Sequence, residues 1–231
     1  MGRAKRKRKA KLRQKRFKKQ MQGKKVPFTL SNSPKKLKGI KNSYQYKVNV
    51  HHCVFVDARF DSVRYRSGHI TNSTFKNAKI TNTDFICVNL KKNRFRNTHF
   101  NNCTFYGCNM EDSDFRDATF NNVYFISCNL KNIQNFTVTD KIFVIKKYPD
   151  LHMSLKLEKI LYKMSLNSKL EKFNILTINS KKINYWMMEL LLSKYSEQEL
   201  IAFFTKLLKS NKTWFYTIHD YVKALQNYYK R

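Results

Sequence analysis

Residues 48–132 read, in blocks of five, VNVHH CVFVD ARFDS VRYRS GHITN STFKN AKITN TDFIC VNLKK NRFRN THFNN CTFYG CNMED SDFRD ATFNN VYFIS CNLKN. The third residue of every block is apolar: Val50, Phe55, Phe60, Tyr65, Ile70, Phe75, Ile80, Phe85, Leu90, Phe95, Phe100, Phe105, Met110, Phe115, Phe120, Phe125 and Leu130. The first residue is mostly small, as at Cys53, Ala58, Gly68, Ser73, Ala78, Cys103, Cys108, Ser113 and Ala118. The second is often Asn or Asp, as at Asn49, Asp84, Asn89, Asn109, Asp114 and Asn129. A period of five matches neither the 3.6 of a helix nor the 2 of a flat strand. It fits a chain that turns a corner every five residues, with the first and third positions inward and the other three toward water. One turn of such a coil cannot bury its own rings, so successive turns must stack.

This pattern resembles the pentapeptide-repeat family, whose motif is small-Asn/Asp-Leu/Phe-x-x. The resemblance implies a right-handed quadrilateral β-helix with four pentapeptides per coil, hence just over four coils for residues 48–132. It implies a non-catalytic role. It also brings a functional expectation: some family members mimic DNA in shape and charge, occupy the DNA groove of type II topoisomerases such as gyrase, and protect against quinolone-type drugs.

Outside the repeat the chain changes character. Residues 1–25 are a basic arm, and residues 1–50 carry 19 Lys and Arg with no Asp or Glu. Like charges at that density repel, so the arm is expected to be disordered or only transiently helical when free. Pro27, Pro34 and Gly39 mark residues 26–47 as a linker and N-terminal cap. The period fails at Asn135, and residues 133–149 read as a connector. From 150 to 231 apolar residues recur at three and four, predicting an α-helical domain of about four helices. Asp150, Ser180, Ser196 with Glu199, and Asn211 are the expected helix-start signals.

Nothing points to catalysis, a metal or a cofactor. Cys53, Cys103, Cys108 and Cys128 occupy inward small positions and Cys87 a corner, with none of the spacings of a zinc site. Cys108 and Cys128 lie one coil apart, within disulfide range, and are expected as thiols in a reducing cytosol. The six histidines make no ligand spacing.

Charge carries the functional expectation. The net charge is +32, which calls for an anionic partner. The arm offers Arg3, Lys5, Arg6, Lys7, Arg8, Lys9, Lys11, Arg13, Lys15, Arg16, Lys18 and Lys19 for sequence-independent contact with DNA or RNA, alone or in a ribonucleoprotein. Outward positions repeat every 20 residues and bring Arg59, Lys76, Lys79, Arg94, Arg96 and Arg116 into a basic strip on the β-helix. Ile86, Tyr106, Tyr124 and Ile126 make an outward apolar face, expected to receive the helical region, a protein partner or a second copy as a homodimer. Asn82, Asn102 and Asn122 form a corner ladder. The acidic run Glu111, Asp112, Asp114 and Asp117 is local, whereas a DNA mimic needs an acidic rod. No stretch is long and apolar enough to span a membrane. The expectation is a cytoplasmic adaptor, nuclear or nucleolar in a eukaryote, that binds nucleic acid through its arm. A topoisomerase-directed mimic and a purely structural interaction rod are the alternatives.

Overall fold

The corner that produces the period of five is a left-handed backbone residue. In a computed structural model of the chain, the fifth residue of all 17 blocks has φ between +48° and +60°. Only Gly107 among them is a glycine; nine are Asn or Asp in the stretch from Asp57 to Asn122, residue types whose short polar side chains tolerate this region. The structure describes residues 28–33, 35–179, 182–210 and 215–230, with residues 10, 11, 14, 18, 21 and 22.

Each corner separates short parallel runs. The rod comprises β1 (Thr29–Ser31), β2 (Lys41–Tyr46), β3 (Asn49–His51), β4 (Arg59–Arg66), β5 (His69–Thr71), β6 (Lys79–Ile86), β7 (His99–Tyr106), β8 (Thr119–Ile126) and β9 (Ile142–Ile145). One face is a six-stranded parallel sheet in the order β2-β4-β6-β7-β8-β9. The register is 20 residues, as in Ile80↔Phe100 and Phe85↔Phe105↔Phe125. Inside, rings stack coil on coil: Phe75 on Phe95 at 5.0 Å, Phe95 on Phe115 at 4.8 Å, Phe105 on Phe125 at 4.9 Å.

The rod is longer than the repeat. Leu30 pairs with Val50 and Lys41 with Asp61, so a first rung lies within residues 26–47. At the other end β9 pairs with β8 through Val123↔Ile142, an offset of 19 rather than 20. That lost residue throws β9 out of phase, and residues 133–149 therefore read as a connector. Phe136 closes the interior, its ring 5.3 Å from Phe125, 5.6 Å from Phe120 and 5.7 Å from Phe115.

Four helices follow: α1 (Leu155–Leu166), α2 (Tyr185–Leu192), α3 (Glu197–Lys209) and α4 (Ile218–Tyr229), with a hairpin of β10 (Thr177–Asn179) and β11 (Lys182–Ile183) between the first two. The Ser196–Glu199 capping box opens α3 as expected. Asp150 does not cap α1; Ser154 does, its hydroxyl accepting the Leu157 N–H. Ser180 and Asn211 lie outside the described residues, and the caps are Asn184 for α2 and Thr217 for α4. Thr217 forms a capping box with Asp220, so the Thr-x-x-Asp signature stood six residues beyond the expected start. Glu171 ties the domain together: its buried carboxylate accepts the Leu176 and Thr177 N–H groups at 3.1 and 3.3 Å and the Tyr221 hydroxyl at 2.8 Å.

Candidate nucleic-acid interface

The helices lie against one column of the rod. That column runs Tyr44, Arg64, Asp84, Thr104, Tyr124 and Phe143, each one coil above the last. Tyr44 stacks on Phe173 at 4.7 Å. Arg64 donates to Asp84 at 2.7 Å and to the Asn174 carbonyl at 3.1 Å. Asp84 accepts the Ile218 N–H at 3.1 Å, in the first turn of α4. Thr104 meets the His219 ring at 3.2 Å. Ile126 and Tyr124 join the helical core, with Tyr106 packed on it, and Ile86 is buried. The apolar face is thus covered by the chain's own helices.

Burial makes this seam electrostatically demanding. Arg64 and Asp84 are 2% and 0% exposed. Burial pushes the Asp84 carboxyl up to about 6 despite the Arg64 guanidinium beside it, and lowers His219 to about 3. Neither Arg64 nor Asp84 stood out in the sequence, because both occupy positions that the repeat turns outward. Their separation by one full coil with opposite charge was the available signal.

The basic strip occupies other faces and stays open. Arg59, Lys79, His99 and Thr119 are register partners across successive rungs. Lys76, Arg96 and Arg116 form a second column, their carbonyls accepting the N–H groups of Asp57, Asn77 and Asn97 one coil below. Between the columns runs a ladder of corner side chains, Asn77 donating to Asp57 at 3.0 Å and Asn97 to Asn77 at 2.9 Å. Lys76 and Lys79 therefore flank one corner. Arg94 stands two residues before Arg96, in line with Thr74 and Asp114. All six basic residues are exposed. None makes an ion pair among the described residues, whereas Lys36 is bridged to Asp57, Lys41 to Asp61 and Lys91 to Glu111. Neighbouring rungs lie about 4.8 Å apart, so each column holds cations at a spacing that repels unless an anion intervenes.

The acidic run is dispersed. The hydrogen bond from Lys91 holds the Glu111 carboxyl below its ordinary value. Asp112 and Asp117 are corner residues at φ +57° and +56°. Asp114 accepts the Arg116 N–H at 3.0 Å and the Asn135 amide at 2.6 Å. The second ladder forms too, Asn122 donating to Asn102 at 2.7 Å and Asn102 to Asn82 at 3.2 Å.

Of the arm, Lys11 and Lys18 are exposed and helical. Arg3, Lys5, Arg6, Lys7, Arg8, Lys9, Arg13, Lys15, Arg16 and Lys19 lie outside the described residues, and the expected disorder of the arm lies there with them. All five cysteines are free thiols. Among the described residues no cluster of His, Cys, Asp or Glu could hold a metal, and no helix is long and apolar enough to cross a membrane.

Residues 88–129 match the family model described as pentapeptide repeats (9 copies). No curated protein matches the sequence. Among solved structures the chain is similar to full-length QnrB1, a plasmid-mediated fluoroquinolone resistance protein, at 11% identity and a TM-score of 0.26 over 46% of this chain and 65% of that one. It is also similar to a pentapeptide repeat protein of the Arabidopsis thaliana thylakoid lumen, at 13% identity and a TM-score of 0.24 over 44% and 77% of the two chains. A third is HetL, a pentapeptide repeat protein involved in heterocyst differentiation regulation in Nostoc, at 8% identity and a TM-score of 0.20 over 51% and 69%.

Proposed function

We propose, from the premise that residues 48–132 are a pentapeptide-repeat β-helix, that this chain is a non-catalytic scaffold that holds the backbone of DNA or RNA, free or in a ribonucleoprotein. One observation carries the reading: six exposed cations stand in adjacent columns of the rod, and none of them is in an ion pair among the described residues. A polyanion laid along the columns relieves their mutual repulsion and releases its own condensed counterions. The twelve basic residues of the arm add further phosphate contacts to those of the rod. Sequence-independent binding follows, because cations at phosphates read no base edges.

The test is the salt dependence of binding to a duplex DNA and to a structured RNA. Deleting residues 1–25 should weaken both and flatten the plot of log affinity against log salt. Neutralising Lys76, Arg94, Arg96 and Arg116 to Gln in the otherwise intact chain should lower the slope on duplex DNA by roughly 3–4, about 0.9 per lost phosphate contact. A quadruple variant with unchanged affinity and slope would remove the strip from the interface. An arm deletion without effect would remove the arm.

A further inference from the structure

At its N-terminal end the rod is hollow. A cavity of about 210 Å³ opens at the first rung and is lined as deep as Phe75 and Phe85. Its origin is legible in the inward columns. Where deeper coils place Tyr65 and Phe85, the first rung has Gln45; where they place Ala58 and Ala78, it has Lys38. The first rung therefore does not plug the interior with an apolar ring, as Phe136 does at the other end. The space is larger than the roughly 150 Å³ cavity, lined by aliphatic and aromatic side chains, that accommodates benzene.

Lys38 and Gln45 are the polar residues of an otherwise apolar lining; they stand at the first rung beside Leu37 and Ile40, with Val50 and Phe75 deeper. Gln45 donates to Ser43 at 2.7 Å. Tyr65 also lines it; the residue is 7% exposed, and its hydroxyl hydrogen-bonds to nothing among the described residues. Burial of the residue holds the phenol well above its ordinary pKa, so it is a neutral donor aligned under Gln45. Lys38 makes no ion pair among the described residues. A donor and a cation above an apolar well match one ligand shape: an anionic oxygen head on a compact hydrocarbon tail.

We propose that the N-terminal mouth of the β-helix is a binding site for a medium-chain aliphatic carboxylate, its tail among Val50, Phe75 and Phe85 and its head between Lys38 and Tyr65. The site faces the interior of the rod, whereas the strip faces outward, and it does not depend on nucleic-acid binding.

Titration calorimetry of the full chain with octanoate, acetate and octylamine tests it. Octanoate should bind at least about tenfold more tightly than either other probe, since acetate lacks the tail and octylamine the anion. Lys38→Glu, at an exposed position, should weaken octanoate about tenfold or more, and Tyr65→Phe several-fold. Val50→Phe should fill the well and abolish binding; circular dichroism and melting establish that each variant is folded, and Lys38→Glu decides the matter if the filled variant is not. Lys76→Ala, on the outer strip, should leave octanoate binding unchanged. Octanoate no tighter than acetate would overturn the proposal. So would octanoate affinity that survives Lys38→Glu, which would assign the carboxylate to the general cationic surface.

Discussion

His219 faces Thr104 from the first turn of α4 and is 3% exposed. Its folded pKa, lowered to about 3 by burial, lies below the unfolded value of 6.5. Between those values the unfolded chain takes up a proton that the folded chain refuses, so the contribution is complete above pH 6.5 and is lost as pH falls. Asp84 has the opposite sign. Raised to about 6 from 3.8, it binds a proton in the folded state first and adds stability as pH falls through 6. At pH 5 His219 costs about 2 kcal/mol relative to pH 7, and Asp84 returns part of it. His219→Gln keeps a polar contact for Thr104 and removes the proton site. We expect the stability gap between the two proteins to move by about 2 kcal/mol toward the variant between pH 7 and 5. Urea melts at the two pH values measure it, and a constant gap would show that His219 does not titrate in that window.

At the scale of elements, two packings carry the structure. Within the rod a rung is held by the rungs beside it. Phe95, 1% exposed, stacks on Phe75 and Phe115, and Phe95→Asp places an unpartnered charge inside. A loss of more than about 4 kcal/mol is expected, against about 0.5 or less for Lys76→Asp on the outer strip. Thermal melts in the reverse order would refute the inward register. Between rod and helices, the Arg64–Asp84 pair anchors α4. Asp84→Leu strands a buried guanidinium and should cost about 3–5 kcal/mol. Arg64→Met with Asp84→Leu should cost clearly less than the two single changes added together, though the Ile218 N–H still loses its acceptor. Simple additivity in that cycle would mean the two charges are not coupled.

For the whole molecule, charge is the property that distinguishes the proposed scaffold from a DNA mimic. A mimic presents negative potential along its length to a basic groove. Here Arg59, Lys76, Lys79, Arg94, Arg96 and Arg116 would meet that groove with like charge, and like charges in contact across an interface cost several kcal/mol. The acidic residues that could dock are engaged at home: Glu111 with Lys91, Asp114 with Asn135. We expect residues 26–231, lacking the arm, to leave gyrase supercoiling uninhibited at micromolar concentration. Removing the arm matters because a polycation sequesters the DNA substrate. Inhibition that disappears when Glu111, Asp112, Asp114 and Asp117 are neutralised would favour the mimic instead.

The interior of the rod was legible in the sequence because its physics is local and repeated. Each coil meets the same neighbours above and below, so the same five-residue demand recurs from Val50 to Leu130. The basic strip was legible for the same reason, since a 20-residue spacing places side chains in columns. The tertiary structure decided which outward columns remain outward. Arg64, Asp84 and Thr104 obey the repeat in sequence yet are buried, because a separate helical layer covers them, and no periodicity within the rod encodes that contact. It also decided the ends. β1, β2 and β9 carry polar or phase-shifted residues, and they join the rod through backbone pairing with a neighbouring rung, which side-chain pattern does not record.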